Sequence, residues 1–109
     1  MQLTILMTLD CPHVGILEAR LIAALPDPCG ITLTRKMITN HEQADAYGLR
    51  GSPTLLIDGV DPFAQPGQPT SLSCRIYRDA AGHAHGAPPI DALKAALQEA
   101  ALGLHPAQM

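Results

Sequence analysis

Aromatic residues are scarce in this chain: they make up 3%, with one Phe, two Tyr and no Trp. A core must therefore be built from Leu, Ile, Val and Ala. An excess of positive charge is also missing, since seven Lys and Arg stand against ten Asp and Glu, a formal charge of -3. That excludes the basic face that a nucleic-acid partner requires. No apolar run approaches the roughly 20 residues of a membrane-spanning helix, so no membrane partner is expected. The apolar opening has no Lys or Arg before it and no small-residue cleavage site, which argues against a secretion signal. Cysteine is present in an odd number, three, and without a secretion signal this points to free thiols in a reducing cytoplasm. What is there suits a globular protein: 47% hydrophobic and 16% charged residues in a chain of 109, enough for one domain near the small end.

Along the chain, Leu3 to Leu9 reads as a first strand with apolar residues on both faces, as an interior strand requires. Pro12 follows, a residue tolerated in a helix's first turn, and Val14, Leu17, Leu21 and Leu25 recur at helical spacing until Pro26-Asp27-Pro28. Ile31 to Ile38 reads as a second strand whose Arg35 and Lys36 suit a sheet edge. Asn40 can cap a short helix over His41 to Tyr47, with Gln43 at the capping-box position and Gly48 as terminator. Gly51-Ser52-Pro53 precedes an apolar strand, Thr54 to Asp58, and Ser52-Pro53 is a bond that can be cis. Residues 59–73 read as a polar, Pro-rich insertion. Cys74 to Arg78 reads as a fourth strand, antiparallel to the third. A closing helix starts near Ile90, and residues 103–109 read as a frayed tail.

The Gly51-Ser52-Pro53-Thr54 turn with its apolar strand ending in Asp58-Gly59, together with Asp10-Cys11-Pro12 after the first strand, resembles the thioredoxin-like superfamily. The resemblance implies a glutaredoxin-like minimal core of order βαβαββα, with a mixed four-stranded sheet flanked by helices, over residues 1–109. It also implies that the Pro53 turn is a cis-proline facing Cys11. Asp61-Pro62-Phe63 and Ser73-Cys74-Arg75-Ile76-Tyr77-Arg78 extend the likeness to small bacterial thioredoxin-like proteins, some labelled by similarity to alkylmercury lyases. For those lyases two cysteines and an aspartate cleave a carbon–mercury bond, and Asp10, Cys11 and Cys74 offer the same residue types.

The residues themselves point to thiol chemistry. Cys11 stands between a strand and a helix, where free N–H groups and partial positive charge favour a thiolate. His13 could add positive charge, and Asp10 could oppose it or move a proton. Pro12, Ser52, Pro53 and Thr54 would hold an extended thiol partner, either a small thiol or a protein thiol. Val14 stands where a Cys-x-x-Cys enzyme has its resolving thiol, which leaves monothiol redox or thiol transfer with Cys11 as nucleophile. Cys74 is a second candidate thiol, although chain order places it near the opposite pole unless the 59–73 loop reshapes the hairpin. Cys29, after the first helix, reads as an inert loop thiol. No cofactor is required. A soft metal ion or organomercurial held by Cys11 with Cys74, or with His13, His83 and His85, is an alternative. A non-catalytic binding or dimerisation module is another, because the apolar sheet edge and Ala-rich last helix would permit a homodimer.

Overall fold

Alternating side chains in the first strand divide the protein into two layers of core around a sheet. The computed structural model describes residues 1–25 and 30–102; Cys29 and the tail from residue 103 lie outside them. Strand β1 (Gln2–Met7) sends Leu3 and Ile5 to one face and Leu6 to the other, all three buried. Helix α1 (Val14–Ala24) turns Val14, Leu17, Leu21 and Ala24 onto the Leu3–Ile5 face. Strand β2 (Thr32–Met37) then runs parallel to β1 with Thr32 opposite Gln2. Helix α2 (His41–Tyr47) covers the other face through Ala44, beside Leu6, Ile38 and Leu49. Its ends are set by local chemistry. Asn40 Oδ1 accepts the Gln43 N–H at 2.8 Å, and Gly48 closes the helix at φ 81° with its N–H on Ala44 C=O.

Strand β3 (Arg50–Ser52) leads into β4 (Thr54–Ile57), which lies antiparallel to β1 with Leu3 opposite Ile57. The sheet order is β2-β1-β4, so β2 is an edge strand, as its Arg35 and Lys36 indicated. The closing helix α3 (Ile90–Ala101) packs beside α1 and adds Leu93, Ala96 and Leu97 to the Leu3–Ile5 core. This is a mixed α/β arrangement with helices on both faces of a mixed sheet. Among the described residues no helix is long and apolar enough to cross a membrane.

Two expectations need correction. Cys74 to Arg78 is not a fourth strand on β4. Ser71–Cys74 instead forms β5, paired parallel with β3, and Tyr77–Arg78 forms β6, paired antiparallel with β7 (Ala84–His85). Among the described residues the main sheet is therefore three-stranded, flanked by two two-stranded ribbons. The departure begins where Val60 turns straight back to bridge Ile57 and Asp61 is drawn inside, where it meets Arg75. Helix α1 also begins at Val14 with His13 as its cap, so Pro12 precedes the cap and is not in the first turn.

Leu17 is fully buried between the sheet and α3, whereas Ile16 on the same helix is exposed. Leu17→Ala should cost about 2–5 kcal/mol by loss of transfer energy and cavity formation. Ile16→Ala should stay within about 0.5 kcal/mol of the parent. Urea midpoints of the two variants check the assignment of the core.

Candidate functional site

The loop after β1 presents Cys11. Asp10 takes a left-handed backbone, φ 57°, a conformation Asp tolerates better than most residues, and its side chain is exposed. Cys11 is half-buried and packs on the α1/α3 core with Met7 and Phe63. It lies two residues ahead of the α1 cap, so the first-turn N–H groups begin beyond it. Pro12 is exposed. The His13 ring sits directly under Gly86, where any added Cβ would overlap the ring. Among the described residues its buried Nδ1 has no hydrogen-bond partner.

The Pro53 turn meets this loop from the sheet side. Ser52 Oγ accepts the Thr8 N–H at 3.1 Å, three residues before Cys11. The Ser52–Pro53 peptide is cis, and Ser52, Pro53 and Thr54 are all buried. Their polar groups are already engaged by the chain itself. Ser52 C=O accepts the Arg75 N–H at 3.0 Å, and Pro53 C=O accepts the Tyr77 hydroxyl at 2.5 Å. Thr54 Oγ1 donates to Gly51 C=O at 2.7 Å. Arg75 and Tyr77 thus take the Ser52 and Pro53 carbonyls, and Thr54 pairs with Leu6 of β1.

Beside the turn lies an ion pair that hydropathy gave no reason to expect. Asp61 and Arg75 are 6% and 5% exposed. Arg75 Nη1 reaches Asp61 Oδ2 at 2.7 Å and Nη2 reaches Oδ1 at 3.5 Å, with Arg50 Nη1 a further 3.7 Å from Oδ2. Arg75 also donates to Thr54 Oγ1 at 3.3 Å and stacks over the Tyr77 ring at 4.8 Å. Phe63 meets that ring edge-on, with centroids 5.6 Å apart. Burial, above all, holds the Tyr77 phenol well above its usual value. Arg75 opposes that rise, and Asp61 and the nearby Cys11 add to it. Cys11 and Phe63 pack against the same core, Phe63 meets Tyr77, and the Tyr77 hydroxyl binds Pro53 C=O, so Cys11, Tyr77 and Pro53 belong to one neighbourhood. A signal existed in the alternation of Arg75 and Tyr77 on one face of a short extended run, but the apolar Ile76 between them, 64% exposed, points the hydropathy the wrong way.

Cys74 also needs relocating. It pairs in register with Ser52 and is exposed, so the 59–73 loop carries it to the Pro53 turn and away from the opposite pole. His83 and His85 are engaged within their own ribbon. Both face Asp79, at 3.5 Å from His83 Nδ1 and 2.9 Å from His85 Nε2. The His85 ring first, then the His83 backbone N–H, hold the Asp79 carboxyl below its usual range. Among the described residues no three His, Cys, Asp or Glu side chains are grouped to hold a metal ion. The chain matches no protein-family model, no curated protein and no solved structure.

Arg75→Met leaves Asp61 buried without its close partner and should cost about 3–5 kcal/mol, while Asp61→Asn/Arg75→Met should recover part of that loss. Urea denaturation of the four proteins in the cycle measures the coupling. For Tyr77, the raised value means that the folded state keeps the phenol neutral while the unfolded state ionises near pH 10. Its contribution is complete below about pH 10 and declines as pH rises beyond it. In Tyr47→Phe, where Tyr77 is the only phenol, absorbance at 295 nm should show phenolate only well above pH 10 or together with unfolding. A free titration near pH 10 would contradict its burial.

Proposed function

We propose that this chain is a thioredoxin-like domain performing thiol transfer, with Cys11 as the nucleophile and the Pro53 turn as the wall behind it. The observation that carries the reading is the Ser52 Oγ to Thr8 N–H bond, which clamps the Pro53 turn to the Cys11 loop. The strand order β2-β1-β4, with β1 parallel to β2 and antiparallel to β4, is compatible with such a core. Cys11 as thiolate attacks one sulfur of a disulfide, a mixed disulfide forms, and the second sulfur leaves as a thiolate that takes a proton from water. Val14 offers no second thiol at the loop. Asp10 and Pro12 line the exposed side of Cys11, and His13 holds the loop from beneath. Because Arg75 and Tyr77 occupy the acceptors of Ser52 and Pro53, a small thiol fits the site better than an extended protein segment.

A second reading is favoured by Cys74 standing in register with Ser52. In it, Cys74 attacks the mixed disulfide at Cys11, releasing the small thiol and leaving a Cys11–Cys74 disulfide. Exposure of the reduced protein to bis(2-hydroxyethyl) disulfide, followed by peptide mass spectrometry, separates the readings. Thiol transfer predicts an adduct on Cys11 that Cys11→Ser abolishes. Resolution by Cys74 predicts that the adduct is short-lived and persists only in Cys74→Ser. A Cys11 that stays unmodified while Cys74 reacts would sink both.

A further inference from the structure

The outer edge of β2 carries an inference independent of the thiol. In the β1–β2 ladder the Thr32 N–H bonds to Met1 C=O and the Ile38 N–H to Met7 C=O. Parallel pairing alternates, so Thr32, Thr34 and Lys36 turn their backbone groups toward β1. Leu33, Arg35 and Met37 turn theirs outward, and among the described residues no strand receives them. Their side chains share the sheet face of their register partners Leu3, Ile5 and Met7. Leu33 and Met37 remain 43% and 44% exposed, and Ile22 of α1 is 70% exposed.

Edge strands usually carry cations that repel a second strand. Here both cations are drawn off the edge by their own chain. Arg35 forms a two-pronged pair with Glu18 of α1, and Lys36 lies 4.2 Å over the Tyr47 ring on the opposite face. What remains is an open ladder, flanked by apolar residues, whose charges are already compensated.

We infer that β2 is a dimerisation edge whose occupant is β2 of a second copy, antiparallel about a two-fold axis at Arg35. This register uses every outward backbone group. It sets Leu33 against the partner's Met37 and Met37 against the partner's Leu33, an isologous contact in which each apolar residue meets another. The two Arg35 side chains face each other, each neutralised by its own Glu18. The result is one continuous sheet of six strands in the order β4-β1-β2-β2-β1-β4. The neighbouring register, centred on Thr34, would oppose Leu33 to Arg35 and leaves the apolar pair unmatched.

The test is light scattering with size-exclusion chromatography across a concentration series of the full chain. The expected result is a concentration-dependent shift toward twice the chain mass. Arg35→Pro removes an outward N–H without touching the β1 ladder, and Leu33→Glu changes an exposed side chain. Each should weaken dimerisation at least about tenfold, while circular dichroism stays that of the parent. Glu18→Gln should weaken the dimer most at low salt, because it leaves two unneutralised guanidinium groups face to face. Arg35→Cys, in a background with the three native cysteines replaced by Ser, should crosslink to itself under mild oxidation, since opposed residues lie about 5.5 Å apart. Thr34→Cys in that background should not. A chain that stays monomeric at millimolar concentration overturns the inference. So does a dimer that survives Arg35→Pro and Leu33→Glu and leaves Arg35→Cys uncrosslinked.

Discussion

The ion pair between Arg75 and Asp61 governs how the second half of the chain is arranged. Removing two charges from water costs several kcal/mol per ion, so such a pair persists only where its geometry recovers most of that cost. Here Arg75 meets the carboxylate with two nitrogens, adds Thr54 Oγ1, and places its guanidinium over Tyr77. The pair closes residues 61–75 into a loop whose two ends are both buried. With Arg75 pinned there, its backbone N–H falls on Ser52 C=O and β5 is committed to pair with β3. A hairpin returning along β4 would carry Arg75 away from Asp61 and leave a carboxylate stranded in the interior.

Gly51 shows how tightly this arrangement is packed. Its φ of 99° lies in the region that disfavours side chains, and a Cβ there would lie 2.8 Å from the Arg75 Cβ and 2.9 Å from its Cα. The turn and the strand beside it therefore meet backbone to backbone. Gly86 plays the same part on the Cys11 side, where its lack of a side chain makes room for the His13 ring. Residues 71–86 thus press on both halves of the site, one contact at the Pro53 turn and one at the loop.

Much of the three-stranded sheet and its helices was legible because the signals are local and redundant. Alternation of Leu3, Ile5 and Met7 with Thr4 and Leu6, helical spacing from Val14 to Leu21, and Asn40 with Gly48 each act within a few residues. The arrangement from Asp61 to His85 was not legible. Its strands are short and polar, and their partners lie elsewhere in the chain: Cys74 pairs with Ser52, and Arg75 with Asp61. Hydropathy also runs backwards there, burying Arg75 and exposing Ile76. Only the energy of a nonlocal ion pair decides that inversion. Cys11 could be picked out by its place between strand and helix, whereas the position of Cys74 depended on that same long-range pairing.

These constraints fix the direction from which Cys11 can be approached. On the Pro53 side it is bounded by Ser52, Pro53 and Thr54, which are buried, and the Ser52 and Pro53 carbonyls are held by Arg75 and Tyr77, which leaves them no free acceptor for an extended partner. From beneath it is closed by His13 under Gly86. Opening either side means lifting residues 71–86, and lifting Arg75 leaves the buried Asp61 with only the longer Arg50 contact at 3.7 Å. The Leu9, Asp10 and Pro12 side needs no such movement, since all three residues are exposed. A ligand of the thiol would therefore meet an apolar Leu9, a carboxylate and a rigid proline before it met sulfur. On the thiol-transfer reading proposed above, the exposed Asp10 carboxylate on that rim would disfavour anionic ligands relative to neutral or cationic thiols and disulfides.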